Sequence, residues 1–139
     1  MANFRINKTE FIQETKRISF KYDGKTYFAH EGDTLASALL ANGVHLIGRS
    51  FKYHRPRGIM SCGSEEPNAI CQISNRNDLT EPNVRATELE IYEGLEAYSQ
   101  NCWPNVKFDI GGINNLISPL IPAGFYYKTF MWPKSFWKN

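Results

Sequence analysis

A chain of 139 residues with 42% hydrophobic and 14% aromatic content is long enough for one modest core, and this composition excludes a disordered polymer. Sixteen basic against fourteen acidic residues leave a net charge of +2, which excludes a nucleic-acid binder working by bulk phosphate neutralisation. The three cysteines, Cys62, Cys71 and Cys102, are odd in number and far apart, so free thiols in a reducing cytoplasm are expected rather than a disulfide framework. The start of the chain lacks an apolar leader and no run approaches a membrane span, so the expectation is a cytoplasmic protein without a membrane partner.

Residues 1–16 are polar with isolated apolar positions and read as an N-terminal arm. Arg17 to Tyr22 alternates polar and apolar at period two, as a half-buried strand does. Asp23-Gly24 is the sequence of a type I′ turn, and Lys25 to Ala29 returns as the partner strand. Asp33 or Thr34 then caps a helix whose apolar stripe is Leu35, Leu39 and Leu40, with Ala36 and Ala38 beside it. Asn42-Gly43 ends that helix, glycine being suited to the left-handed cap position.

Val44 to Ile47 reads as a short strand leading into a basic loop, and Asn68 to Ser74 as another strand. Val84 to Tyr92 alternates again and predicts a further strand, led by Pro82-Asn83. A hairpin, a crossing helix and later strands describe an α+β fold of β-grasp layout over residues 17–100, with one helix across a small mixed sheet. Residues 101–139 form an extension in which Asp109 to Leu120 contains a short helix stopped by Pro119 and Pro122. It ends in an aromatic strip containing Phe125, Tyr126, Tyr127, Phe130, Trp132, Phe136 and Trp137, which needs a polypeptide surface to cover it.

A β-grasp with cysteines in the loop after its helix is the plant-type ferredoxin arrangement, spaced C-x4-C-x2-C for a [2Fe–2S] cluster. Counted from Cys62, the next ligands fall on Pro67 and Ile70, neither of which ligates iron. Cys62 and Cys71 read instead as small, partly buried side chains. His30, His45 and His54 show no zinc spacing with the cysteines, so no metal ligand is assigned. No nucleophile motif, P-loop or dinucleotide fingerprint appears either, so no catalytic residue is assigned.

The densest binding chemistry lies in Gly48 to Gly58, where Arg49, Lys52, Tyr53, His54, Arg55 and Arg57 are candidate cofactor or partner contacts. Arginines beside a proline-fixed turn suit a phosphate or carboxylate, with Tyr53 or Phe51 stacking on a ring. The alternative is a solvated basic loop balanced by Glu65 and Glu66.

Several stretches together carry a resemblance. They are Gly32-Asp33-Thr34-Leu35-Ala36-Ser37-Ala38-Leu39-Leu40-Ala41-Asn42-Gly43, the loop Gly48 to Gly58, Gly63-Ser64-Glu65-Glu66-Pro67-Asn68-Ala69 and Glu81 to Thr87. With Gly94-Leu95-Glu96-Ala97 and Pro122 to Pro133, they are similar to the N-terminal region of the α subunits of heterotetrameric sarcosine oxidases, over roughly residues 17 to 137. The resemblance implies a complex that oxidises sarcosine to glycine with oxygen, giving hydrogen peroxide and releasing the methyl carbon as formaldehyde or passing it to tetrahydrofolate. It implies FAD, FMN, NAD and tetrahydrofolate for the whole complex and none of them for this stretch alone.

The implied partners are the remaining α-subunit domains and the β, γ and δ subunits. Related α subunits of amino-acid and opine dehydrogenases keep the cluster cysteines, whereas the sarcosine oxidase relatives do not. The expected role is therefore that of a cluster-free, non-catalytic ferredoxin-like domain serving assembly. A [2Fe–2S] electron-transfer protein and a free-standing anion-binding module are the rivals.

Overall fold

A computed structural model of the chain describes residue 5, residues 16–74 and residues 79–120. The aromatic strip and nearly all of the N-terminal arm lie outside the described residues.

The first hairpin forms where the alternation places it. Strand β1 (Arg17–Tyr22) buries Ile18, Phe20 and Tyr22 and turns Arg17 and Lys21 outward. It pairs antiparallel with β2 (Lys25–His30), Tyr22 opposite Lys25. Asp23 (φ 47°) and Gly24 (φ 74°) both adopt the left-handed conformation that a type I′ turn requires.

Helix α1 (Leu35–Ala41) starts at Thr34, whose side chain accepts from Ser37 N while the Ser37 hydroxyl accepts from Thr34 N, a reciprocal capping box. Asp33 is not the cap. Its carboxylate gathers His30 N (2.8 Å), the Ser37 hydroxyl (2.9 Å) and the Arg5 guanidinium. The helix closes at Asn42, followed by Gly43 at φ 75°.

The main sheet has five strands in the order β2-β1-β7-β5-β6, with β5 at Ile70–Ser74, β6 at Thr80–Arg85 and β7 at Glu96–Tyr98. Strand β7 runs parallel to β1 and antiparallel to β5, so the sheet is mixed. A separate two-stranded sheet joins β3 (Gly48–Arg49) to β4 (Pro56–Arg57). Among the described residues, the segment beyond β7 holds a one-turn helix, α2 (Ile113–Leu116), between 3-10 turns at Ile110–Gly112 and Ser118–Leu120.

The core lies between α1 and the sheet, where Phe20, Leu35, Leu39, Ile47 and Leu95 are at most 1% exposed. Each such side chain contributes about 1.5–3 kcal/mol on burial. No described helix is long and apolar enough to cross a membrane.

Two strand expectations need correction. Val44 to Ile47 is irregular, and the pairing starts two residues before the basic loop's tip region, at Gly48, with Ile47 N bonded to Arg57 O (2.8 Å). The alternation over Val84 to Tyr92 does not mark one strand. The ladder stops at Arg85, and the chain turns beneath the start of α1, where Ala36 N reaches Ala86 O (2.9 Å) and Leu35 N reaches Leu89 O (2.8 Å). Ala86 and Ile91 are buried there in the common core, outside the ladder.

Candidate functional site

The basic loop is the turn of the β3–β4 hairpin. Ser50 N bonds Arg55 O (2.9 Å), His54 N bonds Ser50 O (2.9 Å), and Arg55 N bonds the Ser50 hydroxyl (3.0 Å). Within that frame His54 sits at φ 53°, an uncommon left-handed position for a residue with a Cβ.

The loop is fastened to the segment after β7. Arg49 Nε donates to Val106 O (2.9 Å), Nη1 to His54 O (3.1 Å) and Nη2 to Lys107 O (3.3 Å). His54 Nδ1 lies 2.7 Å from Asp109 Oδ2, and the Asp109 side chain is 1% exposed. Asp109 Oδ1 accepts from Trp103 N (3.0 Å) and Gly111 N (3.1 Å). Burial pushes the Asp109 carboxyl up, but these backbone bonds and the His54 contact outweigh it and hold the group below its ordinary range. A Cβ at Gly111 would stand 2.3 Å from the His54 ring, so only glycine lets the two segments close to this distance.

The other candidates surround one ring. Lys52 Nζ and the Arg55 guanidinium lie 4.8 and 4.7 Å from the centre of the Tyr53 ring. Arg55 Nε also donates to Asn115 Oδ1 (3.1 Å), and Asn114 Nδ2 donates to Lys52 O (3.3 Å). Arg57 Nη1 donates to Asn68 Oδ1 (2.6 Å). Arg55 and Arg57 are exposed, and a guanidinium carries five N–H donors, so each has donors beyond these bonds. The structure thus brings Arg49, Lys52, Tyr53, His54, Arg55 and Arg57 together, with Arg49 and His54 turned to holding the chain and Arg55 and Arg57 turned outward.

Glu66 does not act as a solvated counter-charge to this loop. It is 1% exposed and accepts from Met60 N, Ser61 N, Asn68 N and Ala69 N. Burial pushes its carboxyl up, but the four backbone bonds prevail and hold it at about 2. Sequence reading missed both buried acids. Asp109 carried a signal, since an aspartate before Ile-Gly-Gly is an N-cap pattern and its side chain does cap the 3-10 turn. Glu66 carried none that separates it from Glu65.

A [2Fe–2S] cluster of the ferredoxin type is held by four cysteine thiolates. Cys62 is exposed rather than partly buried, lying at a bend just before the turn at 64–65. Cys71 is 0% exposed on β5, and burial pushes its thiol up to about 12. Cys102 Sγ lies 3.3 Å from the Ser99 hydroxyl. Three cysteines in these three environments do not fit a [2Fe–2S] cluster. Among the described residues no group of three or more His, Cys, Asp or Glu is placed to hold a metal ion.

The family model of the 2Fe-2S iron-sulfur cluster binding domain matches residues 15–102. The sarcosine oxidase subunit alpha of Rhizobium meliloti (strain 1021) is 56% identical over 139 residues, all of this chain and 14% of that protein. That of Corynebacterium sp. (strain U-96) is 42% identical over 98 residues, 69% of this chain and 10% of that protein. The chain thus spans about a seventh or less of the length of these relatives. Among solved structures, an L-proline dehydrogenase from P. horikoshii superposes with a TM-score of 0.53 at 22% identity, covering 73% of this chain and 18% of that one, a likeness of fold. This chain belongs to the family of 2Fe-2S iron-sulfur cluster binding domains and is a homologue of sarcosine oxidase α subunits.

Proposed function

We propose that this chain is a cluster-free ferredoxin-like domain of a sarcosine oxidase α subunit, serving assembly and closure of a cofactor cavity. The observation that carries this reading is the thiol set: a family scaffold with one buried core cysteine, one exposed and one beside a serine offers no iron site. In the whole complex, sarcosine, oxygen and water would give glycine, formaldehyde and hydrogen peroxide, with FAD, FMN, NAD and tetrahydrofolate bound by other domains and subunits. The 139 residues alone would be inactive, in the cytoplasm with their partners.

The surface supports a docking role. Between residues 103 and 117, Trp103, Phe108, Ile110, Ile113, Leu116 and Ile117 are 44% to 79% exposed. Spacings of three and four place Ile113, Leu116 and Ile117 on one side of the helical turn. Such a run suits contact with the remaining α-subunit domains or the β, γ and δ subunits. Arg55, bonded to Asn115 within this segment, and the exposed Arg57 would meet an acidic or phosphate-bearing surface, and the aromatic strip from Phe125 to Trp137 would extend the contact.

Two measurements test this. Anaerobic incubation of the purified protein with iron and sulfide is expected to give no visible charge-transfer bands; their appearance ends the cluster-free reading. In the assembled enzyme, Arg55→Ala with Arg57→Ala is expected to lower flavin content or subunit recovery. Unchanged assembly, flavin content and turnover would remove the basic loop from the account.

A further inference from the structure

One side chain collects four backbone donors from the two ends of a loop. Glu66 Oε2 accepts from Met60 N (2.7 Å) and Ser61 N (2.6 Å), with the Ser61 hydroxyl at 3.3 Å. Its Oε1 accepts from Asn68 N (2.8 Å) and Ala69 N (3.1 Å). The carboxylate therefore joins the two ends of the 60–69 loop, which are also linked by Asn68 Nδ2 donating to Met60 Sδ (2.7 Å). The loop is also clamped from outside, Arg85 Nε donating to Glu66 O (3.1 Å) and the Thr87 hydroxyl to Gly63 O (2.8 Å), and it is turned within by Glu66 N donating to Gly63 O (3.2 Å).

A buried carboxylate is costly unless its lone pairs are met by donors. Here they are met by amides and one hydroxyl, and among the described residues no Lys or Arg pairs with the Glu66 carboxylate. Convergent backbone N–H groups of this kind form an anion nest. The loop carries Cys62 and ends two residues before Cys71, so it overlaps the stretch where the plant-type ferredoxin spacing counted from Cys62 would place cluster ligands. An iron–sulfur cluster with four thiolates is itself anionic, and its sulfurs take hydrogen bonds from the surrounding chain.

We propose that Glu66 is an internal anion standing in for the cluster, the body around which this loop is wound in a scaffold without iron ligands. The nest is built for a carboxylate, so a protein lacking the Glu66 side chain should accept a small free carboxylate such as formate. The proposal rests on the cluster-free reading above.

The test uses the intact protein. Glu66→Gln replaces one acceptor oxygen by an NH2 group, so one pair of amides loses its partner. Hydrogen exchange at Met60 and Ser61, or at Asn68 and Ala69, is expected to accelerate about tenfold or more relative to Leu95 and Ala86. Exchange within about twofold of the parent at all four amides would overturn the proposal. In Glu66→Ala, formate is expected to restore protection at these amides, while chloride at equal ionic strength does not. A folded Glu66→Ala protein indifferent to formate would overturn the nest, and if that variant does not fold, Glu66→Gln decides. Visible bands on iron and sulfide incubation would instead defeat the cluster-free reading, a separate result from the exchange measurement.

Discussion

Asp109→Ala is expected to destabilise the protein by about 2 kcal/mol and to release the basic loop from the segment after β7. A buried donor without its acceptor costs about 1–3 kcal/mol, and the low end applies to Gly111 N and His54 Nδ1, which are part-buried, while the exposed Trp103 N adds little. Trp103 N and Gly111 N both lose Oδ1, and His54 Nδ1 loses Oδ2 at 2.7 Å. Asp109→Asn keeps an acceptor for the two amides and should cost distinctly less. Urea denaturation gives the stability, and amide exchange over residues 49–57 reports the undocking; a loss below about 0.5 kcal/mol with unchanged exchange would refute the anchor.

The acid dependence has a definite sign. The folded carboxyl of Asp109 lies below its ordinary value, so its contribution is complete above the ordinary aspartate range. It is lost as pH falls through the depressed folded value, because the folded state must then take up a proton. Asp109→Ala should therefore flatten the decline in stability below about pH 4 relative to the parent.

Phe20→Ala carries the second large effect, an expected loss of about 3–5 kcal/mol. Phe20 is 1% exposed at the middle of β1, between Ile18 and Tyr22 on the same face, with its ring centre 5.8 Å from that of Tyr27. Its removal opens a cavity beneath α1 that a strand fixed on both sides cannot collapse to fill. Tm should fall by about 10 °C or more. Tyr22→Phe offers a smaller comparison, because it removes only the hydroxyl that donates to Ile47 O (2.6 Å). A Phe20→Ala protein within about 1 kcal/mol of the parent would contradict the core assignment.

Local patterns made the first third of the fold legible. The period-two run, Asp23-Gly24 and Gly43 each specify geometry within a few residues and are found as read, and of the two cap residues read, Asp33 or Thr34, the cap is Thr34. Strand β7 escaped because Glu96-Ala97-Tyr98 is too short to show a period. The run from Val84 to Tyr92 misled for a related reason. Leu89 and Ile91 turn inward on either side of the exposed Glu90, which imitates the alternation of a pleated strand, and only the tertiary contact with the start of α1 tells the two apart.

The candidate site divides in the same way. The density of cations from Arg49 to Arg57 was visible, but the inward roles of Arg49 and His54 depend on carbonyls and a carboxylate more than fifty positions away. Glu65 and Glu66 are adjacent and chemically alike, yet one is exposed and the other buried under four amides. That difference is set by the path of the loop, which no single residue type announces.

The position of β7 bears on how the protein is made. The β1–β2 and β5–β6 hairpins can each form as soon as they are synthesised, but β7, the strand between them, comes last of the five. Until residue 98 is available, β1 and β5 present two open edges, and open edges are sites of mispairing between nascent chains. Closing the sheet joins Tyr22 to Ala97 across seventy-five positions, a non-local contact of the kind that slows folding. Three residues thus set the moment at which two independent hairpins become one domain, and the vulnerable interval for aggregation ends there.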